Sequence, residues 1–211
     1  MTEKIYGEAL QSTVINALKK NGFDARFFNT PAEATECILS FVQKDNTVAF
    51  GGSVTIQDIN IKTLCENKGA ILLDHTIKFD NFNDKVELMR RQLTADVHIS
   101  GTNAITRNGY LVNVDANGNR VAPMIFGPRK NIVIAGINKI VKDEDEAFER
   151  IRSRTAPLNN IRLKRNNPCV KTGYCVDCAS DDRICRAYTV LKRKTPLTDF
   201  TVIIINEDLG Y

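Results

Sequence analysis

The order of apolar and polar residues predicts alternating helices and strands along the chain. Apolar residues at helical spacing predict a helix over Glu3–Lys20, stopped by Asn21-Gly22. Short apolar runs bounded by polar turns predict strands. The predicted strands are Phe23–Phe28, Thr47–Phe50, Ala70–Leu73, Val97–Ile99, Tyr110–Val114, Asn131–Ala135 and Thr201–Ile205, and the other predicted helices are Pro31–Gln43, Ile56–Asn67, Lys85–Leu93 and Glu144–Arg154.

Three short signals refine these elements. Thr30, Pro31 and Glu33 form a capping-box pattern, which predicts a helix start. Asp115–Asn119 contains Asn-Gly, which predicts a tight turn and a β-hairpin near residues 110–122. Ala156–Asn160 contains a proline and predicts a break after the last long helix.

The alternation of strands and helices predicts one α/β domain, residues 1–211, with a mostly parallel sheet covered on both faces. In such sheets ligands lie beyond the carboxyl ends of the strands. The loops Gly51–Thr55 and Gly101–Thr106 each follow a predicted strand, so we expect them to face one cleft.

Both loops have the composition of a site for a small anion. A strand, a glycine-rich loop and a helix in that order aim free N–H groups at an anion, although a tight turn with a capping serine is an equally weighted alternative. The second turn, Ser100–Thr106, is too polar to be buried without a ligand or partner. The predicted ligand-binding residues are Gly51, Gly52, Ser53, Thr55, Gly101, Thr102, Asn103, Thr106 and Lys139. Arg129 and Lys139 lie at predicted strand ends, where a solvated surface charge is the alternative for each.

Composition adds limits rather than an activity. The 211 residues carry a net charge of +4, which does not argue for nucleic acid and is compatible with a small anionic ligand. No apolar run reaches the roughly 20 residues of a membrane span, and the first residues do not form a signal peptide. We therefore expect a cytoplasmic protein with no membrane span, and a homo-oligomer is compatible with the sequence.

Four of the six cysteines are clustered. Cys169, Cys175, Cys178 and Cys185 have the spacing C-x5-C-x2-C-x6-C in a loop-like segment, Asn166–Arg186, inserted before the last strand. Four thiolates suit either zinc or an iron–sulfur cluster, and the spacing does not distinguish the two. Redox-active or partly paired thiols and inert cysteines are the alternatives. Cys37 and Cys65 lie on apolar helix faces and are predicted to be core residues.

Other candidate chemistry is sparse. The only histidines, His75 and His98, are far apart in sequence and form no recognisable catalytic pair; His98 is predicted to be structural. Carboxylates near predicted strand ends are candidates for acid–base chemistry, with a solubilising role as the alternative. They are Asp115, Glu207 and Asp208.

Five motifs in order resemble those of the lactate-utilisation (LUD) domain family. They are GGSVT, ISGTNAITRNGYLVNVDANGNRVAPMIFGP, NIVIAGINKIV, PCVKTGYCVDCASDDRICR and VIIINEDLGY, and together they extend over essentially the whole chain. The resemblance implies a Rossmann-like fold similar to ribose-5-phosphate isomerase, glucosamine-6-phosphate deaminase and the CoA-transferases. It also implies that Gly51, Gly52, Ser53 and Thr55 hold a phosphate or a CoA-type ligand.

Relatives in this family act with partner proteins, some carrying iron–sulfur clusters, to oxidise L-lactate to pyruvate. The chain departs from the lactate-operon members in its four-cysteine insertion, so lactate itself is not carried over. The resulting hypothesis is a subunit of an organic-acid oxidation or electron-transfer system with a redox partner protein. The alternatives are a sugar-phosphate isomerase-like enzyme or ligand-binding regulator with a structural zinc, and a partner-binding domain with a degenerate cleft.

Overall fold

The computed structural model describes residues 2–211 as ten strands and nine α-helices. The helices are α1 (Thr2–Lys20), α2 (Pro31–Ser40), α3 (Val54–Asp58), α4 (Ile61–Asn67), α5 (Phe82–Arg91), α6 (Val121–Ile125), α7 (Glu144–Arg150), α8 (Ala156–Arg162) and α9 (Cys169–Thr172). The strands are β1 (Asp24–Phe28), β2 (Thr47–Phe50), β3 (Ile71–Leu73), β4 (Val97–Gly101), β5 (Ala104–Thr106), β6 (Leu111–Asp115), β7 (Lys130–Gly136), β8 (Ile140–Val141), β9 (Ala187–Leu191) and β10 (Asp199–Ile205). None of the helices between residues 2 and 211 has the length and apolar character to cross a bilayer.

Six strands form one parallel sheet in the order β1-β10-β7-β4-β2-β3. The predicted mostly parallel α/β architecture is therefore confirmed. The strand order places β10, which is last in sequence, between β1 and β7. The carboxyl ends of the neighbouring strands β7, β4, β2 and β3 thus lie side by side along one edge.

The parallel sheet is buried on both faces. Along β7, Ile132 and Ile134 pack into a core with α2, α3 and α4, while Val133 and Ala135 pack into a second core with α1. This alternation follows from the pleat, which points successive side chains to opposite faces. The capping box of α2 is present, with the Thr30 hydroxyl accepting from the Glu33 N–H.

A second sheet of four short strands has the order β8-β5-β6-β9 and packs beside the first. The prediction of a hairpin turn at Asp115–Asn119 was wrong. The antiparallel hairpin is β5 with β6, which are joined by residues 107–110. The Asp115 carboxylate instead accepts from the backbone N–H groups of Arg120 and Val121, and this contact starts α6 where a returning strand was expected.

Two predicted helices also differ. The helix predicted over Ile56–Asn67 is divided into α3 and α4 at Asn60, which has a left-handed φ of 51°. The helix predicted to end at Arg154 continues through a π-helical turn, Ile151–Thr155, into α8. Pro157 lies at the start of α8 and has no N–H to donate, and the carbonyl of Arg152, five residues earlier, accepts from the backbone N–H of Cys175. The predicted break at Ala156–Asn160 was therefore wrong.

The segment that carries the clustered cysteines joins α8 to β9. Only α9 within it is helical, and Gly173 ends α9 with a φ of 77°. Strand β9 follows directly and pairs with β6. The sequence pattern did not predict β9. The cysteine segment is therefore held at both ends by regular structure.

Candidate functional site

A cleft of about 460 Å³ lies at the carboxyl ends of the parallel strands. The loop after β2 contributes Gly52 and Ser53, and the end of β4 contributes Gly101. Lys139 reaches the cleft from the turn that follows β7, and His75 from the loop that follows β3. The two loops predicted to share a cleft are brought together, in the position that this class of sheet gives to ligands.

The glycines after β2 let the loop approach its neighbours closely. A Cβ atom at Gly51 would lie 2.8 Å from Cβ of Ser100 and 3.0 Å from Cγ of Arg120. A Cβ atom at Gly101 would lie 2.5 Å from Oγ of Ser53. Ser53 precedes α3 without making a capping hydrogen bond, so its hydroxyl is available to the cleft. Because α3 has only five residues, its dipole is short.

The Arg120 guanidinium hydrogen-bonds groups of both sheets along one wall of the cleft. Its Nη1 donates to Gly101 O at 3.1 Å and to Asn113 Oδ1 at 2.5 Å, and its Nη2 donates to Asn103 Oδ1 at 3.1 Å and to Val114 O at 2.9 Å. These bonds use all four hydrogens of the terminal nitrogens and leave only Nε–H. Burial lowers the pKa of Arg120 against the opposing effect of Asp115.

This network corrects the expectation for Ser100–Thr106. The segment is almost wholly buried, and its residues 104–106 are strand β5. Asn113 Oδ1 accepts from the Asn103 N–H and the Thr102 hydroxyl, so the polar groups are satisfied within the protein. A ligand is therefore not needed to bury this stretch. The Ser100 hydroxyl is the exception, since it is buried without a hydrogen-bond partner.

Lys139 is a buried amine facing the cleft. Its side chain is 4% exposed, and Nζ donates to Thr55 Oγ1 at 2.8 Å. Burial lowers the pKa of Lys139 to about 7, with Arg150 and Arg120 acting in the same direction. No carboxylate among the side chains described between residues 7 and 211 forms an ion pair with Lys139 or Arg120.

The cleft has a strong excess of positive charge. Its lining includes five basic side chains and one carboxylate, that of Asp115. Both Asp115 oxygens accept from backbone N–H groups, Oδ1 from Ala116 and Oδ2 from Arg120 and Val121. The basic residues are Lys85, Arg120, Lys139, Arg162 and Arg165. An anion is the ligand that this field favours.

His75 lines the cleft from the loop that follows β3. Its Nδ1 is 3.1 Å from Gln92 Oε1, and its Nε2 is 3.5 Å from Asn119 Nδ2. Burial lowers the pKa of His75, and the Gln92 contact and Asp74 oppose that shift. His98, by contrast, is buried within β4 with Nδ1 2.9 Å from Asn131 Oδ1, and burial lowers its pKa to about 4.

With this geometry in place, sequence comparison decides the family. The sequence profile of the LUD domain matches residues 12–205. The chain belongs to the LUD domain family. A search of curated proteins found no match.

Solved structures are similar to this LUD domain to different extents. The crystal structure of a DUF162 family protein from Deinococcus radiodurans is similar with a TM-score of 0.54 and 12% identity, covering 94% of this chain and 98% of that one. Ribose 5-phosphate isomerase from Plasmodium falciparum aligns with a TM-score of 0.32 and 18% identity, covering 53% and 52% of the two chains. The first likeness shows the fold alone, and the second is too partial to carry an argument.

Some of the site residues predicted from the sequence line the cleft of this LUD domain, and others do not. Gly52, Ser53, Gly101, Thr102, Asn103, Lys139 and Asp115 line the cleft. Thr55 is fully buried and bonded to Lys139, and Gly51 is packed against Ser100 and Arg120 outside the cleft lining. The Thr106 hydroxyl accepts from the Tyr110 N–H and lies outside the cleft lining, as do Arg129, Glu207 and Asp208. Glu207 and Asp208 are exposed to solvent.

Several residues of the site escaped the sequence analysis. Arg120 and His75 were not proposed for the cleft, and Gln92 had no sequence signal at all. Arg120 follows the predicted turn at Asp115–Asn119, and a buried-helix interpretation of VAPMI would have pointed to it. The partners of His75 are distant in sequence, so no local pattern identifies its role.

All four clustered cysteines line a second, small cavity of about 10 Å³. Cys169 is buried, and its Sγ accepts from Asn160 Nδ2 at 3.4 Å. Burial, followed by the proximity of Cys175, raises the pKa of the Cys185 thiol to about 11. The Asn167 side chain also lines this cavity, and its Oδ1 is buried without a hydrogen-bond partner. Cys65 is buried in the core and Cys37 is half-buried against it, as predicted.

The donor set and its spacing lead to different conclusions about a metal. Four thiols around one cavity are the ligands that zinc and iron–sulfur clusters take. Across the described residues, however, no group of three or more His, Cys, Asp or Glu side chains is arranged so that it could hold a metal ion. Metal binding would therefore require the segment between Cys169 and Cys185 to draw closer together.

Proposed function

We propose that this LUD domain binds a small organic acid in the cleft and serves as a subunit of an organic-acid oxidation or electron-transfer system. The observation that carries the proposal is the position of Cys185. Together with Ala156 and Ile184, Cys185 lines both the cleft and the small cysteine cavity. The cleft and the cysteine cavity therefore share part of one wall, and a ligand that extends to this wall would lie next to the thiol set. Membership of the LUD domain family is consistent with this role.

The side chains of the cleft supply the binding. The protonated amine of Lys139 would attract the carboxylate, and the Ser53 hydroxyl would donate a hydrogen bond. Because an opposite charge favours the ammonium form, ligand binding would raise the pKa of Lys139 from about 7. Binding near neutral pH would thus take up a proton, and affinity would fall as pH rises above 7.

If the segment between Cys169 and Cys185 drew closer together, the four cysteines would hold the metal group. An iron–sulfur cluster would supply one-electron transfer to a partner redox protein, whereas zinc would supply none. Cys169, Cys175, Cys178 and Cys185 are the proposed ligands. The N–H groups that already contact two of the sulfurs, from Asn160 and the Asp177 backbone, would stabilise them as thiolates.

Two measurements on the full chain test the proposal. Iron, zinc and acid-labile sulfide are quantified in protein purified without oxygen, and L-lactate binding is measured by calorimetry for the wild type and Lys139→Met. We expect iron with sulfide, saturable binding, and at least tenfold weaker binding by the variant. A chain without iron would contradict the electron-transfer role. Equal binding by both proteins would contradict the cleft assignment.

One observation favours a second candidate, a non-redox enzyme or ligand-binding regulator with a structural zinc. The cysteine cavity of about 10 Å³ has room for a body no larger than one water molecule. That size suits a single ion better than a cluster of several atoms. Stoichiometric zinc in a colourless protein, with binding of a sugar phosphate in place of L-lactate, would select this candidate.

A further inference from the structure

One ring nitrogen of His75, Nδ1, contacts Gln92, and the other, Nε2, lies at the cleft. The side chain of Gln92 is held in place because its Nε2 donates to Leu73 O at 2.6 Å and to Phe50 O at 3.2 Å. Both carbonyls are acceptors only, so the amide has a single possible orientation. Its Oε1 must therefore point at His75 Nδ1, from which it is 3.1 Å away.

The orientation of Gln92 determines the tautomer of His75. An amide oxygen can only accept, so Nδ1 carries the hydrogen. Burial lowers the pKa of His75, and Lys85 and Lys62 add to that shift while Asp74 opposes it. With the hydrogen on Nδ1, the neutral ring carries its lone pair on the second nitrogen, Nε2.

The Nε2 atom lies beside the glycine loop of the cleft. A Cβ atom at Gly52 would lie 3.7 Å from His75 Nε2, so the loop leaves space in front of the nitrogen. The only polar contact of Nε2 among the described side chains is the Asn119 amide nitrogen at 3.5 Å, a long and weak donor. A ligand with a hydroxyl group could replace it.

We propose that His75 is a catalytic residue of the cleft, the proton acceptor for a hydroxyl of the bound ligand, and that Gln92 is its positioning residue. In the step concerned, the ligand O–H bond breaks and an Nε2–H bond forms. The electron pair of the O–H bond stays on the ligand oxygen, and Asp74 stabilises the resulting imidazolium. This inference rests on the proposed function, because it assumes that an organic acid occupies the cleft.

Nitrogen NMR tests the tautomer directly. The chain has two histidines, so His75→Asn assigns the signals of both residues in protein labelled with ¹⁵N-histidine. We expect a protonated Nδ1 and a bare Nε2 in the free protein at pH 7.5. Adding L-lactate should shift the Nε2 signal, and adding propionate, which lacks the hydroxyl, should not. A protonated Nε2 in the free protein, or equal shifts with both acids, would overturn the proposal.

Calorimetry with the same two acids tests the contact. We expect the wild type to bind L-lactate about fivefold more tightly than propionate, as for one hydrogen bond. His75→Leu should lose that preference, and Ile77→Ala, an exposed neighbour outside the cleft, should keep it. A preference that survives in His75→Leu overturns the inference and leaves the proposed function standing. If neither acid binds the wild type, the proposed function fails, and the inference fails with it.

The role of Gln92 needs a readout that a purely structural role would not move. Gln92→Leu should raise the fraction of Nε2-protonated tautomer and reduce the preference for L-lactate. Gln92→Glu keeps an oxygen beside Nδ1–H but removes the N–H groups that bond Leu73 O and Phe50 O, and its carboxylate should raise the pKa of His75, so the doubly protonated ring should increase and the preference for L-lactate should fall. If Gln92→Leu leaves the tautomer unchanged, Gln92 is not the positioning residue.

Discussion

The cleft and the cysteine segment carry the two halves of the proposed chemistry, and they are built differently. The cleft lies on the ends of buried parallel strands, and Arg120 alone joins four acceptors from β4, β6 and the turn between β4 and β5. The cysteine segment contains one short helix, and its thiols surround a cavity without metal-binding spacing. The contrast teaches that the cleft is organised before a ligand arrives, whereas the thiols would be organised by their ligand.

The largest expected effect is on the wall of the cleft. Arg120→Leu should lower the free energy of unfolding by about 3 kcal/mol, because several buried acceptors lose their donor. Urea denaturation followed by circular dichroism measures the change. Arg129→Leu is the matched control, since the Arg129 side chain is 88% exposed, and it should change stability by less than about 0.5 kcal/mol. Similar losses for both variants would show that the Arg120 network does not hold the site.

The cysteine segment should respond in metal content rather than in fold. Cys178→Ser should reduce metal retained after anaerobic purification by about tenfold or more, since even second-shell changes weaken metal sites by that factor. Circular dichroism should remain that of the wild type because the parallel core lies elsewhere. Cys37→Ser, at another half-buried cysteine, should keep its metal. Equal metal content in the two variants would remove the cysteine cavity from consideration.

Lys139, which lines the cleft, should make the stability of the protein depend on pH. Its pKa is about 7 in the folded protein, against an ordinary value of 10.5, so between these pH values the unfolded chain binds the extra proton. Stability should therefore rise with pH across this window, by at most about 1.4 kcal/mol per pH unit. Urea denaturation between pH 7 and pH 9.5 measures the slope. Lys139→Met should flatten it, and an unchanged slope would contradict the assignment.

The smallest expected effects are those of a substitution at Gly52, which should weaken ligand binding while leaving stability almost unchanged. Gly52→Ala places a methyl group in ordinary contact with His75 and Thr76, so stability should change by less than about 0.5 kcal/mol. The same methyl group occupies the space in front of His75 Nε2, and L-lactate binding should weaken about threefold, less than the full loss of one hydrogen bond. Calorimetry and urea denaturation measure the two quantities. A loss of stability without a loss of affinity would place the ligand elsewhere in the cleft.

The parallel sheet was largely predictable because its strands are apolar runs bounded by turns. Strand β2 is Thr47–Phe50, as expected, and β7 extends the predicted strand by one residue at each end. Strands β5 and β9 were not predicted, since both form by pairing with β6 and not from a strong local pattern. The left-handed Asn60 and the π-helical turn before Pro157 were not predicted either.

The candidate site was predictable only where a loop follows a strand. Gly52, Ser53, Gly101 and Lys139 were found this way, because parallel strands bring their carboxyl ends together. The role of His75 depends on Gln92, 17 residues away, whose orientation is set by two carbonyls of different strands. No sequence pattern specifies a histidine tautomer, so the role of His75 follows only from contacts made in the folded protein.

The position of β10 between β1 and β7, second from one edge of the sheet, has a consequence for the order of assembly. Strand β1 pairs only with β10 in the described sheet, and β7 meets β10 along seven residues. Until β10 is in place, the Ile132–Ala135 stretch of β7 is an unpaired apolar edge, the kind of surface that promotes association between chains. During synthesis this edge stays unpaired while residues 137–198 are made, so protection by a chaperone would matter most just before β10 emerges from the ribosome.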